Sequence, residues 1–157
     1  MLRTGCGGAG VRRRAVTAPT AGSPRAQAKG RVLIIDDDQA VRGAQIRLLE
    51  RAGYDVREAA SAFAGLDIAR EWTPDLIMLD IAMPTVSGLE ALKVLKAKAA
   101  TRDAVIVAFS AFIADGEEER YRRIGFDHIL PKPLSGEELL SRIGAFLRGR
   151  GQPRQAP

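Results

Sequence analysis

Acidic, hydroxyl and basic side chains come directly after apolar runs of the chain. Three acids, Asp36 to Asp38, follow the run VLII, and Asp80 ends the run LIML. Ser110 closes a third such run, and Lys132 stands between two prolines after a fourth. Carboxylates held close together repel each other unless a cation lies among them, and Mg²⁺ prefers oxygen ligands. These residue types therefore indicate cation chemistry, provided that the fold brings them together.

A regular alternation of strand and helix patterns supplies the elements that must position these residues. The strand patterns cover 31–36, 54–59, 75–79, 104–110 and 126–130. The helix patterns cover 40–53, 61–72, 87–98, 114–125 and 135–149. Five strands that alternate with five helices predict βαβ crossovers and a parallel sheet with helices on both faces. Such sheets bind ligands outside the carboxyl ends of their strands, where the acids, the hydroxyl and the lysine would meet.

The composition excludes several other kinds of site. Cys6 is the only cysteine, so an internal disulfide is impossible and a reducing, cytoplasmic location is expected. His128 is the only histidine, which excludes histidine-rich metal sites. The apolar runs are too short to span a bilayer, so no membrane partner is expected.

The charge distribution sets the ends of the chain apart from its middle. Residues 1–30 hold six basic residues, no acid and few large apolar side chains. Such a segment cannot bury enough surface to offset its ordering entropy, so we predict a disordered basic extension. Residues 149–157 are predicted to form a short basic tail. All 19 acidic residues lie in between, so nucleic acid is an unlikely partner except weakly through the N-terminal arm.

Four motifs, VLIIDD, LIMLDIAMPTVSG, VAFSA and LPKPL, are distributed over nearly the whole of residues 31–148. With them, this part of the chain resembles the receiver domain of bacterial two-component response regulators. The resemblance implies a doubly wound, flavodoxin-like (βα)5 fold with a five-stranded parallel sheet in the order 2-1-3-4-5. It also implies a phospho-acceptor signalling domain, not an enzyme, that catalyses only its own phosphorylation and dephosphorylation.

The resemblance assigns roles to the residues at the strand ends. Asp80 would accept the phosphoryl group, and Mg²⁺ would be held by Asp36, Asp37, Asp80 and the backbone carbonyl of Ala82. Asp38 is the extra acid, and we predict that it caps the first helix rather than binding the metal.

Other positions would bind or respond to the phosphoryl group. Ser110 and Lys132 would contact the phosphoryl oxygens, and the Lys132–Pro133 peptide bond would be cis. Ser110 would also move as a switch, together with the residue at position 129. Relatives commonly carry an aromatic residue there, whereas this chain has Ile129. A muted switch is therefore expected, because the aliphatic side chain offers less area and no polar tip.

Two side chains are predicted to control the access of water to the phosphorylated aspartate. By the family geometry these lie two positions after Asp80 and two after Ser110, at Ala82 and Phe112. Neither side chain can hydrogen-bond to a water molecule, which predicts a long-lived phosphorylated state.

The predicted partners follow from the same resemblance. A single-domain regulator would receive its phosphoryl group from a histidine kinase or a phosphotransfer protein, as a relay or as an output protein with an unknown target. It would be a monomer or a weak, phosphorylation-dependent dimer. Ile46 lies off the apolar stripe of Val41, Ala44, Leu48 and Ala52. We predict that it forms, with Ala40 and Gly43, a small exposed apolar surface near Asp36 on which the donor docks.

Alternative functions fit the residues less well. An aspartate-nucleophile phosphohydrolase usually has a second acid two residues after the first, and Ala82 stands there. A nucleotide- or flavin-binding domain would want a Gly- or Ser/Thr-rich first loop, whereas three acids repel phosphate without a metal. A degenerate receiver used as a scaffold would have lost one of the key side chains, and all are present.

Overall fold

The computed structural model describes residues 28–84, 86–111, 113 and 116–150 as alternating strands and helices. The strands are β1 (Arg31–Ile35), β2 (Asp55–Ala59), β3 (Leu76–Asp80), β4 (Val105–Ser110) and β5 (His128–Pro131). The helices are α1 (Gln39–Arg51), α2 (Ala62–Trp72), α3 (Gly88–Ala97), α4 (Glu118–Ile124) and α5 (Gly136–Arg148). Neighbouring strands are parallel, in the order β2-β1-β3-β4-β5, which confirms the predicted fold.

The central strands carry near-continuous apolar runs because both of their faces are buried. On one face, Leu33 and Ile77 pack in a cluster with residues of α2 and α3. On the other face, Val32 and Met78 pack in a second cluster with residues of α1 and α5. Each fully buried side chain of this kind stabilises the fold by about 1.5–3 kcal/mol. The two layers hold the carboxyl ends of β1, β3 and β4 side by side.

The start of α1 agrees with the predicted cap. The Asp38 carboxylate accepts hydrogen bonds from the backbone N–H groups of Ala40 and Val41, at 2.8 and 3.2 Å. After the helix, Gly53 adopts a left-handed conformation with φ of 92°. A glycine tolerates this conformation without strain, so the chain can turn into β2.

The buried face of α1 differs from the prediction. The sequence predicts burial of Val41, Ala44, Leu48 and Ala52, whereas the structure buries Arg42, Gln45 and Leu49. The polarity pattern fails here because two polar side chains point toward the sheet. Val41 and Leu48 are half-buried against the second apolar cluster and, with the exposed Ala44, line an open groove. The predicted exposed surface at Ile46 is wrong, because that side chain is half-buried against the second apolar cluster.

Gln45 is a polar residue whose burial costs stability. Its side chain is buried, and its Oε1 atom has no hydrogen-bond partner among the described residues. A buried acceptor without a donor costs about 1–3 kcal/mol. Gln45→Met, which keeps the length and removes the amide, is therefore expected to raise the midpoint of urea unfolding. Gln39→Met, on the exposed start of the same helix, is the control and is expected to leave the midpoint unchanged. A lower midpoint for Gln45→Met would contradict this account.

The ordered chain extends beyond the predicted start at residue 31. The Lys29 N–H donates to the Gly53 carbonyl, and the Asp55 N–H donates to the Gly30 carbonyl, both at 3.0 Å. The rest of the predicted extension, residues 1–27, and the tail from residue 151 lie outside the described residues. None of the helices in the described ranges combines the length and the apolar character needed to cross a membrane.

Candidate functional site

The acids that follow β1 and end β3 lie together at the carboxyl edge of the sheet. Ile35 pairs with Leu79, so the next residues along the two strands, Asp36 and Asp80, are neighbours. Both are buried, whereas Asp37 is exposed. One carboxylate oxygen from each of the three lies within 4.8 Å of the other two. This spacing suits a single cation bound by all three.

Lys132 already places one positive charge among these acids. Its Nζ lies 2.6 Å from Asp36 Oδ2 and 3.4 Å from Asp80 Oδ2, and it stands 5.0 Å from the centre of the Phe109 ring. The Lys132–Pro133 peptide bond is cis, as the resemblance implies. The lysine can therefore pair with the carboxylate of Asp36 or of Asp80, and it is close enough to contact an anion attached to either.

Ser110 comes to the same edge through the pairing of β4 with its neighbours. Asp80 pairs with Phe109, and Ser110 pairs with Pro131, the residue before Lys132. The Ser110 carbonyl accepts a hydrogen bond from the Lys132 N–H at 2.8 Å, and the serine is buried. Sheet register thus places the hydroxyl-bearing residue between the acid and the lysine.

The loop between β3 and α3 folds tightly over Asp80. The Ala82 N–H donates to Asp80 Oδ1 at 3.1 Å and fixes the orientation of the carboxylate. A Cβ atom on Gly88 would lie 2.4 Å from the Asp80 carbonyl oxygen, which only a glycine avoids at this close approach. Ser87 and Glu90 form a capping box that starts α3 at this point. The loop therefore exposes Ala82 at the mouth of the site.

Arg42 is a residue of this region that the sequence analysis missed. Its guanidinium is buried and donates from Nη1 to the Asp36 carbonyl at 2.8 Å and from Nε to Glu58 Oε2 at 2.9 Å. One signal was available in the sequence. A cation in the first turn of a helix is electrostatically unfavourable, so its presence after three acids suggests a specific partner.

The remaining predicted positions have different outcomes. Ile129 is half-buried and packs against the first apolar cluster. Phe112 lies outside the described residues, and its predicted role is not tested. His128 lies at the start of β5, the other end of the sheet, where its ring stacks on Phe146 with centroids 3.8 Å apart. Burial lowers the pKa of this histidine and so favours its neutral form, although the nearby Asp127 carboxylate acts in the opposite direction.

Comparison with known proteins decides the family. Residues 32–144 match the family model described as the response regulator receiver domain. The chain belongs to this receiver family. Its members signal by accepting phosphoryl groups on an aspartate. The receiver is 37% identical over 116 residues to the polar-differentiation response regulator DivK of Brucella ovis, across 74% of this chain and 94% of DivK.

Solved structures agree with this assignment. The receiver has a TM-score of 0.71 and 26% identity with the chemotaxis protein CheY4 of Vibrio cholerae, over 77% of this chain and 99% of that one. A CheY-like receiver domain protein from Methanospirillum hungatei JF-1 gives a TM-score of 0.69 and 28% identity, over 76% and 94%. The fold and the order of its strands are therefore those of a receiver.

The donor set of this receiver fits a magnesium ion. Asp36, Asp37 and Asp80 offer hard, anionic oxygen atoms, and Mg²⁺ commonly binds one or two carboxylates and keeps several waters. Three negative charges face one lysine in this cluster, so a divalent cation would offset the remaining charge. The exposure of Asp37 leaves the cluster open to solvent on one side.

Proposed function

We propose that this receiver accepts a phosphoryl group on Asp80 from a phosphohistidine, with Mg²⁺ bound by Asp36, Asp37, Asp80 and the backbone carbonyl of Ala82. The observation that carries the proposal is the environment of Asp80. One of its oxygens is fixed by the Ala82 N–H, and the other faces the Lys132 ammonium at 3.4 Å. The carboxylate is thus oriented before a phosphoryl donor arrives.

In the transfer step an oxygen of Asp80 attacks phosphorus, and the bond from phosphorus to the histidine nitrogen breaks. The electron pair of that bond returns to the imidazole, and the product is an acyl phosphate. When bound, Mg²⁺ neutralises charge on the carboxylates and the phosphoryl oxygens. Lys132 supplies a second cation to the product, and Ser110 supplies a hydroxyl donor from the next strand.

The phosphoryl donor docks, in this proposal, on the groove along α1. The groove of about 610 Å³ is lined by Val41, Ala44 and Leu48 on one side and by Leu134 and Leu139 on the other. Lys132 is part of the same lining, so a partner seated in the groove reaches the acid cluster. An apolar face on a histidine-bearing helix of a kinase or phosphotransfer protein fits this surface. It replaces the surface predicted around Ile46.

Several further properties belong to the same proposal. The receiver turns over no separate substrate, acts in the cytoplasm, and signals through proteins rather than through nucleic acid. It is a monomer or a weak, phosphorylation-dependent dimer. Its switch consists of Ser110 and Ile129, and the packing of Ile129 against the first apolar cluster supports a small rearrangement on phosphorylation.

The test compares two phosphoryl donors with and without a chelator. Acetyl phosphate and a phosphorylated histidine kinase should both label the wild-type protein in Mg²⁺, and EDTA should prevent both reactions. Ala44→Glu places a charge at an exposed position of the apolar groove and should slow transfer from the kinase while leaving acetyl phosphate labelling intact. Ile46→Glu and Leu48→Glu are not suitable probes, since both side chains pack against the second apolar cluster and their replacement would confuse docking with folding. Equal loss of both reactions in Ala44→Glu would contradict the docking surface, and labelling in EDTA would contradict the metal site.

A further inference from the structure

Arg42 is a permanent cation buried at a place where burial is costly. Its side chain is 10% exposed, in the first turn of α1, where the positive end of the helix dipole disfavours it. Its charged partner, Glu58 on β2, is 50% exposed, so solvent screens the attraction between the two charges. The ion pair alone does not account for a buried guanidinium in this position. The other interaction of the Arg42 guanidinium is its hydrogen bond to the Asp36 carbonyl.

The acid loop, residues 36–38, needs support because it places three carboxylates in succession. Each end of Asp36 is held: its N–H donates to the Ala59 carbonyl at 3.1 Å, and its carbonyl accepts from Arg42 at 2.8 Å. The Asp36 carboxylate accepts from the Asp38 N–H at 2.9 Å. Asp37, between Asp36 and Asp38, is exposed, so the backbone positions of its two neighbours set the direction of its side chain. The shape of the loop is thus fixed by contacts that include Arg42.

We propose that Arg42 is a positioning residue that holds the acid loop in its metal-binding shape before the cation arrives, with Glu58 orienting the guanidinium. Arg42 is not one of the proposed metal ligands, and it acts through the backbone of Asp36. A fork of N–H donors can bind the carbonyl and the carboxylate at once, which a lysine ammonium does with less fixed geometry. The inference rests on the proposed metal site and adds a residue behind it.

The experiment measures Mg²⁺ binding directly, as shifts of backbone amide resonances in a titration with the metal alone. Arg42→Met removes both donors while keeping an unbranched side chain. Arg42→Lys and Glu58→Gln are milder variants for the case in which Arg42→Met does not fold. The matched control is Lys96→Met. Lys96 is also a partly buried cation, paired at 2.8 Å with Asp127. Asp127 comes directly before the start of β5, whereas Lys132 follows the end of that strand.

Arg42→Met is expected to raise the dissociation constant for Mg²⁺ about tenfold, as is usual when a residue that orients a metal ligand is removed. Arg42→Lys and Glu58→Gln should raise it less. At saturating Mg²⁺ the rate of labelling by acetyl phosphate should return toward the wild-type rate, because the reacting groups are intact. Lys96→Met should lower the midpoint of urea unfolding but keep the dissociation constant within about twofold of the wild type, as distant sites act independently.

Two results would overturn the role of Arg42 while leaving the proposed metal site intact. One is a dissociation constant for all three variants within about twofold of the wild type, which is the range expected of a residue outside the site. The other is an equal rise in Lys96→Met, which would trace the effect to loss of stability. If the wild-type protein itself does not bind Mg²⁺, the proposed metal site fails, and the role of Arg42 fails with it.

Discussion

Asp80→Asn is expected to abolish phosphorylation by acetyl phosphate and by a histidine kinase alike. The amide of asparagine keeps one oxygen for the metal but lacks the anionic nucleophile that attacks phosphorus. The fold should survive, because the substitution is nearly isosteric and removes a negative charge from a crowded acid cluster. Intact-protein mass measurement under native conditions reports directly whether one phosphoryl group has been added.

Two acids of the first loop serve as controls for this experiment. Asp37→Asn should weaken labelling in a way that added Mg²⁺ restores, because it removes charge from the metal site and not the acceptor. Asp38→Asn should label as the wild type does, since asparagine caps a helix as well as aspartate does. Undiminished labelling of Asp80→Asn would disprove the assignment of the acceptor.

Most of the fold follows from local features of the sequence. The runs before Asp36 and Asp80 are apolar over four consecutive residues, which indicates strands buried on both faces. Once those strands are parallel neighbours, their carboxyl ends must meet, and the acids that follow them must cluster. The clustering could therefore be predicted from the sequence together with the strand order that the resemblance implies, without knowledge of any side-chain contact.

The orientation of α1 could not be predicted in this way. A polarity pattern assigns charged and amide side chains to solvent, so it gives no reason to expect Arg42 and Gln45 on the buried face. Burial of Arg42 depends on two acceptors from different elements, the Asp36 carbonyl and the Glu58 carboxylate, which only the folded chain brings together. Gln45 follows from that rotation of the helix, because it lies one turn further along the same face.

The same rotation explains why the proposed docking surface differs from the predicted one. With Arg42 facing the sheet, Val41, Ile46 and Leu48 all pack against the second apolar cluster, and Val41 and Leu48 also line the groove beside α5. Apolar residues at helical spacing predict an apolar face, and whether a core or a partner covers it is decided by the neighbouring elements. Here α5 leaves that face partly uncovered beside Lys132.

The phosphorylated state is expected to be long-lived. Hydrolysis requires a water oxygen to attack phosphorus opposite the Asp80 oxygen, so that the bond from Asp80 to phosphorus breaks and inorganic phosphate leaves. Ala82 is exposed at the mouth of the site, and its methyl group can neither orient that water nor accept its proton. Loss of the phosphoryl group should therefore depend on transfer back to a histidine or on a separate phosphatase.

Ala82→Asn supplies the missing polar group and should accelerate the decay of the phosphorylated protein about tenfold. This lies below the range of about 10²–10⁴ for a positioned acid or base, because an amide can only orient the water. Ala82→Val is the matched control, since it adds bulk at the same position without a hydrogen-bonding group and should not accelerate decay.

The decay is followed by mass measurement after the phosphoryl donor is removed, with Phe112→Glu as a second test of water access. Because the Ala82 side chain takes no part in fixing Asp80, which is held by the backbone N–H, faster decay in Ala82→Asn alone would trace slow hydrolysis to water placement. Rapid decay of the wild-type protein, unchanged in Ala82→Asn and Phe112→Glu, would show instead that water reaches phosphorus without help from either position.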